Sequence, residues 1–258
     1  MRYSLALVAL AAAAVNAQGT APAAASPVAV KGKCKKTSDT KSFPDPLKQF
    51  APGAAQWPCD MGAAIPFGPV PKGCAKLEVI VARGTSEGGD LGVVVGDPLV
   101  ARVARDLPGV TVRGYPVQYP ASAMGMATGI ADIPKRLKAQ AQECPDEKFV
   151  LAGYSQGGSV VMGALSSVPA DLRDKVIAVA LYGPMGGVSG LSSTFKNKTI
   201  TNCAVGDIIC LDLRSGPGHT SYNDEGTKWH DRTASYIAAA YNGKPMGWKS
   251  MGSPTAAL

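Results

Sequence analysis

The hexapeptide Gly153-Tyr154-Ser155-Gln156-Gly157-Gly158 constrains the fold of this 258-residue chain more than any other stretch. It follows the apolar run Phe149-Val150-Leu151-Ala152 and precedes a helix-compatible stretch from Ser159 to Ser167. A serine between glycines at a strand-to-helix turn is the setting of a nucleophile elbow. So tight a turn holds the serine in a strained backbone conformation, and side chains two residues to either side would collide, which is why glycine is tolerated there. As a bare pattern G-x-S-x-G also arises by chance in Gly/Ser-rich turns. The remaining chain has to supply a base, an orienting acid and an oxyanion hole.

Apolar runs on both sides of the elbow supply a frame. Leu77 to Ala82 reads as a strand and leads into the Gly-rich segment Arg83 to Gly89. That segment carries neither G-x-G-x-x-G nor a Walker pattern, which argues against a nucleotide cradle. Asp97-Pro98 opens a helix well, with an acid at the cap and proline at the first position, and Leu99, Val103 and Leu107 share a face. Thr111 to Tyr119 predicts the next strand. From Met126 to Cys144, Ile130, Ile133, Leu137 and Ala141 recur at helical spacing, while Pro134 predicts a kink or a second piece capped by Asp132. Val176 to Tyr182 is apolar on both sides, as a parallel strand covered by helices must be. Thr199 to Asn202 is a shorter edge strand, and residues 227–241 form a last helix stopped by Gly243. The alternation predicts an α/β-hydrolase-like three-layer sandwich with a doubly wound, mostly parallel sheet of about five strands. Active sites of such sheets lie at the C-terminal strand ends, where Thr85, Ser155 and Asp207 would each follow a different strand.

Composition bears on compartment and partners. Met1-Arg2-Tyr3 followed by an apolar run from Leu5 to Val15 has the form of a secretory leader, cut after Ala17. No later segment has the length of a transmembrane helix, so a secreted, extracellular product is expected. The division that follows is a leader at 1–17, a flexible tail with a cysteine-pinned extension at 18–73, a catalytic domain at 74–243 and a C-terminal tail at 244–258. Six cysteines in an exported chain favour disulfides, with the connectivity open. Metal ligation is disfavoured, since Cys203 and Cys210 lack the spacing of a zinc clip and only His219 and His230 are present. The formal charge of +7 comes from scattered lysines, apart from Lys31, Lys33, Lys35 and Lys36. Without aromatic residues interleaved among them, these imply no nucleic-acid partner; attraction to acidic polymers, or solubility, is the expected use. Asn197-Lys198-Thr199 is a glycosylation sequon, and a monomer is expected.

A serine hydroxyl needs a histidine to take its proton and a carboxylate to fix the imidazole tautomer. His219 follows Ser215-Gly216-Pro217-Gly218, a loop able to carry an imidazole over the sheet edge, whereas His230 reads as a helix-surface residue. Asp207 stands between Cys203 and Cys210; if these pair, a small closed loop holds the carboxylate rigidly. Asp212 and Asp224 are nearer His219 in sequence but read as solvated loop acids.

The run Ala82-Arg83-Gly84-Thr85-Ser86-Glu87, the elbow Gly153-Tyr154-Ser155-Gln156-Gly157, and Cys203-x-x-Gly206-Asp207-x-x-Cys210 followed by His219 together resemble the cutinase family. That family includes fungal cutinases, acetylxylan esterases and mycobacterial cutinase-like proteins, and the resemblance extends from about Cys74 to Tyr241. It implies Ser155 as nucleophile, Asp207 as acid, His219 as base, and Thr85 with Gln156 as the oxyanion hole. It also implies Cys74–Cys144 and Cys203–Cys210 disulfides, leaving Cys34 and Cys59 to pair with each other. Thr85 stands where fungal cutinases usually carry serine, while Tyr119-Pro120-Ala121-Ser122 and Gly183-Pro184 look more like the acetylxylan-esterase and mycobacterial branches. The extension up to Cys59 is unlike either compact form. The implied activity is that of a cofactor-free, metal-free serine esterase acting on cutin-like polyesters or lipidic esters. Acetylated xylan is the alternative polymeric substrate, and an inactive secreted wall-binding or host-recognition protein is the alternative of another class.

Overall fold

The computed structural model describes residues 68–244 apart from 123, 186–190, 192 and 225–227. The expected leader, the tails at 18–67 and 245–258, and the Cys34–Cys59 pair lie outside the described residues. Five strands alternate with helices: β1 (Leu77–Ala82), α1 (Gly96–Asp106), β2 (Val112–Pro116), α2 (Met126–Glu143), β3 (Lys148–Tyr154), α3 (Gln156–Leu165), β4 (Val176–Tyr182), α4 (Ser193–Lys196), β5 (Thr199–Asn202) and α5 (Trp229–Tyr241). The sheet order is β2-β1-β3-β4-β5, and every pairing is parallel. The strand order reverses between β1 and β3, so the loops leaving these two strands flank the crevice in which ligands of such sheets bind.

Strands β1, β3 and β4 bury both faces, the edge strand β2 less so, and the alternation of side chains sorts them into two cores. On one face Val79, Val81, Val150, Ala152, Ala178 and Ala180 meet Leu99 and Val103 of α1 and Ala234 and Ile237 of α5. On the other, Ile80, Leu151, Val179 and Leu181 meet Ile133 and Leu137 of α2 and Val160 and Val161 of α3. The result is the helix–sheet–helix sandwich that the apolar runs predict.

Several local expectations change. Helix α1 opens at Gly96 with Val95 at its N-cap, so Asp97 does not cap it; the Asp97 carboxylate accepts from the Leu91 amide at 3.3 Å instead. Helix α2 runs through Pro134 as one 18-residue element, because the buried Ile133 and Leu137 on either side of it hold the helix to the sheet despite the missing N–H. Asp132 does not cap; its Oδ2 accepts from the Tyr115 hydroxyl and the Gln118 amide, both at 2.9 Å, and so ties α2 to the end of β2. Strand β2 stops at Pro116 rather than Tyr119, with one further bond from the Val117 amide to the Val81 carbonyl at 2.9 Å. Helix α3 begins at Gln156, three residues before the helix-compatible stretch, so the serine is its N-cap.

At the opposite end of the sheet, Glu78 is fully buried yet bonded to Arg113 and Arg136, both at 2.6 Å, and Arg113 reaches Glu147 at 2.9 Å. Partners of opposite charge make such burial tolerable. The neighbouring Cys74–Cys144 disulfide, with 5.6 Å between its Cα atoms, joins the segment before β1 to the end of α2.

Candidate active site

Ser155 sits at φ 54° and ψ −120°, a conformation rare for any residue with a side chain, and its amide donates to the Tyr182 carbonyl at 2.9 Å. Glycine at 157 is required by close approach: a Cβ there would stand 1.9 Å from the Ala82 carbonyl oxygen at the end of β1. The elbow therefore presses against the first strand, with the serine raised at the start of α3. Among the described residues the Ser155 hydroxyl has no hydrogen-bond partner.

The imidazole comes from the loop after β5. His219 Nδ1 lies 2.8 Å from each carboxylate oxygen of Asp207, and its ring stacks on that of Tyr154 with centroids 4.9 Å apart. The Tyr154 hydroxyl donates to the His219 carbonyl at 2.9 Å, so the residue beside the serine holds both ring and backbone of the histidine. His219 Nε2 is buried and has no partner among the described residues. No bond joins it to Ser155, as is common before substrate arrives, when such contacts are long.

Asp207 is fully buried and takes two further bonds: from the Ile209 amide at 3.0 Å and from the Tyr222 hydroxyl at 2.5 Å. The Cys203–Cys210 disulfide closes the loop around it, with Cα atoms 6.1 Å apart. Burial, together with the Asp207 charge, pushes the Tyr222 hydroxyl well above the usual tyrosine range, so it serves as a neutral donor. Gly183, at φ +48°, passes directly beneath the pair: a Cβ there would lie 2.5 Å from Asp207 Oδ2 and 2.8 Å from the His219 ring.

Thr85 follows β1 and Gln156 opens α3 directly after β3, on the two sides of the β1/β3 crevice. Neither backbone N–H has an acceptor among the described residues, although the neighbouring amides of Gly84, Ser86 and Glu87 are all bonded. The Gln156 side chain donates to the Ser122 carbonyl at 3.0 Å, joining the elbow to the loop after β2.

The other candidates lie elsewhere. His230 is not a surface residue: it is 2% exposed, its Nδ1 lies 3.3 Å from the Tyr182 hydroxyl, and burial lowers its pKa to about 4. His230 and Ala234 are buried on α5 together with Trp229, Thr233, Tyr236 and Ile237, so its buried face is wide. Asp212 is paired with Arg214, which holds its carboxyl below the ordinary range, and Asp224 is exposed. Asn197 is exposed in the turn between α4 and β5. Among the described residues no group of three His, Cys, Asp or Glu side chains is placed to hold a metal ion, and no helix is long and apolar enough to cross a membrane.

In the sequence Tyr154 and Gly183 stand out only as parts of the elbow and the Gly183-Pro184 pair, without these contacts, and Tyr222 not at all. An aromatic residue three positions after His219 was the available signal for Tyr222, but its partner Asp207 lies fifteen residues upstream. Glu87, two residues after Thr85, was quoted only as part of a run.

The family model described as Cutinase matches residues 73–241. A cutinase of Botryotinia fuckeliana is 33% identical over 144 residues, covering 54% of this chain and 71% of that protein. Carboxylesterase Culp1 of Mycobacterium bovis is 32% identical over 167 residues, covering 59% and 76%. Among solved structures, a Trichoderma reesei cutinase in complex with a phosphonate inhibitor superposes with a TM-score of 0.57 at 28% identity, over 76% of this chain and 87% of that one. An acetyl xylan esterase shares the fold at 22% identity, with a TM-score of 0.52 over 68% and 100%.

Proposed function

This chain belongs to the cutinase family and is a carboxylic ester hydrolase; from that premise we propose that Ser155 is its nucleophile, His219 its base, Asp207 the acid that orients the base, and the Thr85 and Gln156 amides its oxyanion hole. The observation that carries this assignment is the imidazole held by Nδ1 on a buried carboxylate, with Nε2 free beside the elbow. Nδ1–H donates to Asp207, which leaves the Nε2 lone pair to take the Ser155 proton as Oγ attacks the ester carbonyl. The two free amides receive the negative charge that develops on the carbonyl oxygen; loss of one such donor costs about 3 kcal/mol in the barrier. The imidazolium then protonates the departing alkoxide, and water attacks the acyl-serine by the same route to release the acid and restore Ser155. Ser155→Ala should abolish p-nitrophenyl butyrate hydrolysis with the circular dichroism unchanged. Near-normal turnover by that variant would overturn the assignment.

The substrate we propose is a lipidic ester or cutin-like polyester. Val93, Met124, Met185, Leu211 and Leu213 are large apolar side chains left exposed, Met124 at 94% and Leu213 at 85%. They sit on the loops after β1, β2, β4 and β5, the sheet edge that carries Ser155. An apolar rim suits acyl chains better than a polysaccharide. Turnover of p-nitrophenyl esters should rise from acetate to butyrate and hexanoate. Fastest hydrolysis of the acetate, together with acetate release from acetylated xylan, would move the assignment to xylan. Failure of a serine-directed phosphonate to label Ser155 would favour a non-catalytic wall-binding role. Export is part of the proposal, and the two disulfides support an oxidising compartment.

A further inference from the structure

Glu87 is a buried carboxylate at the reactive edge with no part in the acyl transfer described above. It is 3% exposed, and both of its oxygens are committed to the backbone of its own loop. Oε2 accepts from the Gly84 amide at 2.6 Å and Oε1 from the Val94 amide at 2.8 Å. These two residues bracket the loop, since Gly84 directly precedes Thr85 and Val94 stands two residues before α1. Within the bracket the Glu87 amide turns back to the Gly84 carbonyl at 3.1 Å, and the Ser86 amide reaches the Ala121 carbonyl at 2.8 Å. Ser86 is left-handed at φ 55°, a conformation that needs such outside support. Glycines line the enclosure: a Cβ on Gly92 would fall 2.7 Å from the Glu87 carboxylate. The amides of Gly84, Ser86 and Glu87 are thus bonded, and the Thr85 N–H among them has no acceptor among the described residues.

A carboxylate enclosed this way is costly to ionise, and its burial raises its pKa to about 7 against the opposing amides of Gly84, Val94 and Val95 and the Arg83 charge. An apolar side chain would fill the same space without that cost, but it would leave the buried Gly84 and partly buried Val94 N–H groups without acceptors. We propose that Glu87 is a positioning residue for ester hydrolysis: its two-ended grip on Gly84 and Val94 fixes the turn that aims the Thr85 N–H at the oxyanion. The inference rests on the assignment of Thr85 to the oxyanion hole. Glu87 itself touches neither substrate nor Ser155.

Glu87→Gln keeps the volume but sets an NH2 group against one of the two amides, so one end of the grip opens. Because an oxyanion donor acts in the transition state, kcat for p-nitrophenyl butyrate should fall between about 10- and 100-fold with KM within about two-fold of wild type. Ser155→Ala is assayed beside it. A Glu87→Gln kcat within two-fold of wild type, next to an inactive Ser155→Ala, overturns the role of Glu87 and leaves the nucleophile in place. Full turnover by Ser155→Ala overturns both. A loss expressed in KM with kcat kept would mark Glu87 as part of substrate binding and also overturn the proposal. Should the variant fold poorly, amide exchange on the wild-type protein decides: slow exchange of Gly84 and Val94 supports the grip, and exchange at the rate of an open loop refutes it.

Discussion

Two loops bring a buried carboxylate to the same edge of the sheet, and they hold it in opposite ways. Asp207, itself within the ring closed by Cys203–Cys210, takes one local backbone partner, the Ile209 amide, and two side chains from further along the loop after β5, the Tyr222 hydroxyl and His219 Nδ1. Glu87, after β1, spends both oxygens on the amides of its own loop. One carboxylate faces outward to an imidazole, as the proposed proton transfer requires; the other faces inward to backbone amides. The difference teaches that two buried acids at one sheet edge need not share a use, and that the partners of their oxygens tell the two apart.

The largest effect should come from breaking the outward-facing acid. Asp207→Asn keeps the size of the side chain but offers an amide to Nδ1, favouring the tautomer that protonates Nε2. Turnover should drop roughly 10^3- to 10^4-fold with the fold intact. Next is Gly183→Ala, whose methyl would press on both Asp207 Oδ2 and the His219 ring from a residue at φ +48°. Displacement of the pair by about 1 Å should lower kcat about 10^2-fold, measured beside a thermal melt. Tyr222→Phe follows, at about 10-fold in kcat, because Asp207 loses one bond and keeps the others. The same change strips the Ala204 amide of its acceptor, a bond of 3.1 Å, so stability should fall by about 1–3 kcal/mol in urea denaturation.

These residues also mark what the sequence could disclose. The strands and both cores were legible because a parallel strand covered on both sides must be apolar throughout, as Val176 to Tyr182 is. Asp207 and His219 were legible because two cysteines and a Gly-rich loop frame them within one short stretch. Tyr222, Gly183 and Glu87 act through distances set only by folding: Gly183 ends β4, yet touches groups delivered by the loop after β5. His230 misled because helical periodicity names a narrow stripe, whereas α5 also buries the flank that carries it, against Tyr182. The second piece that Asp132 would have capped does not form, because its carboxylate is taken by the Tyr115 hydroxyl and packing carries the helix through Pro134.

The two disulfides sharpen the contrast at a smaller scale. Chain entropy assigns about 4 kcal/mol to Cys74–Cys144, which spans 70 residues, and about 2 kcal/mol to Cys203–Cys210, which spans 7. Activity should rank them the other way. Replacing Cys203 and Cys210 by serine should lower kcat a few-fold by loosening Asp207, while replacing Cys74 and Cys144 should lower the melting temperature and leave kcat of the folded protein alone. Equal losses of kcat from both pairs would show that the small ring does not orient the acid.

The smallest effect concerns the inward-facing acid, and it is a near-cancellation. Burial raises Glu87 from 4.5 to about 7, so the folded protein holds a proton that the unfolded chain has released; the stability this gives is complete below pH 4.5 and lost as pH climbs through 7. His230 runs the other way. Burial, then the Arg102 charge, lowers it from 6.5 to about 4, so its contribution is complete above pH 6.5 and lost as pH falls through 4. Both groups reach Val94, Glu87 through its amide and His230 through a backbone hydrogen bond, and each shift corresponds to about 3 kcal/mol over nearly the same window. From these two groups the wild-type protein should therefore change in stability by only about 1 kcal/mol between pH 4.5 and 7. The variants should uncover the opposing slopes: stability of Glu87→Gln rising with pH across that window, and stability of His230→Phe falling. Denaturant unfolding at pH 4.5, 5.5 and 7 measures all three. Parallel profiles would mean that Glu87 keeps an ordinary carboxylate pKa in a loop open to water, and the contrast with Asp207 would then reduce to which partner each happens to touch.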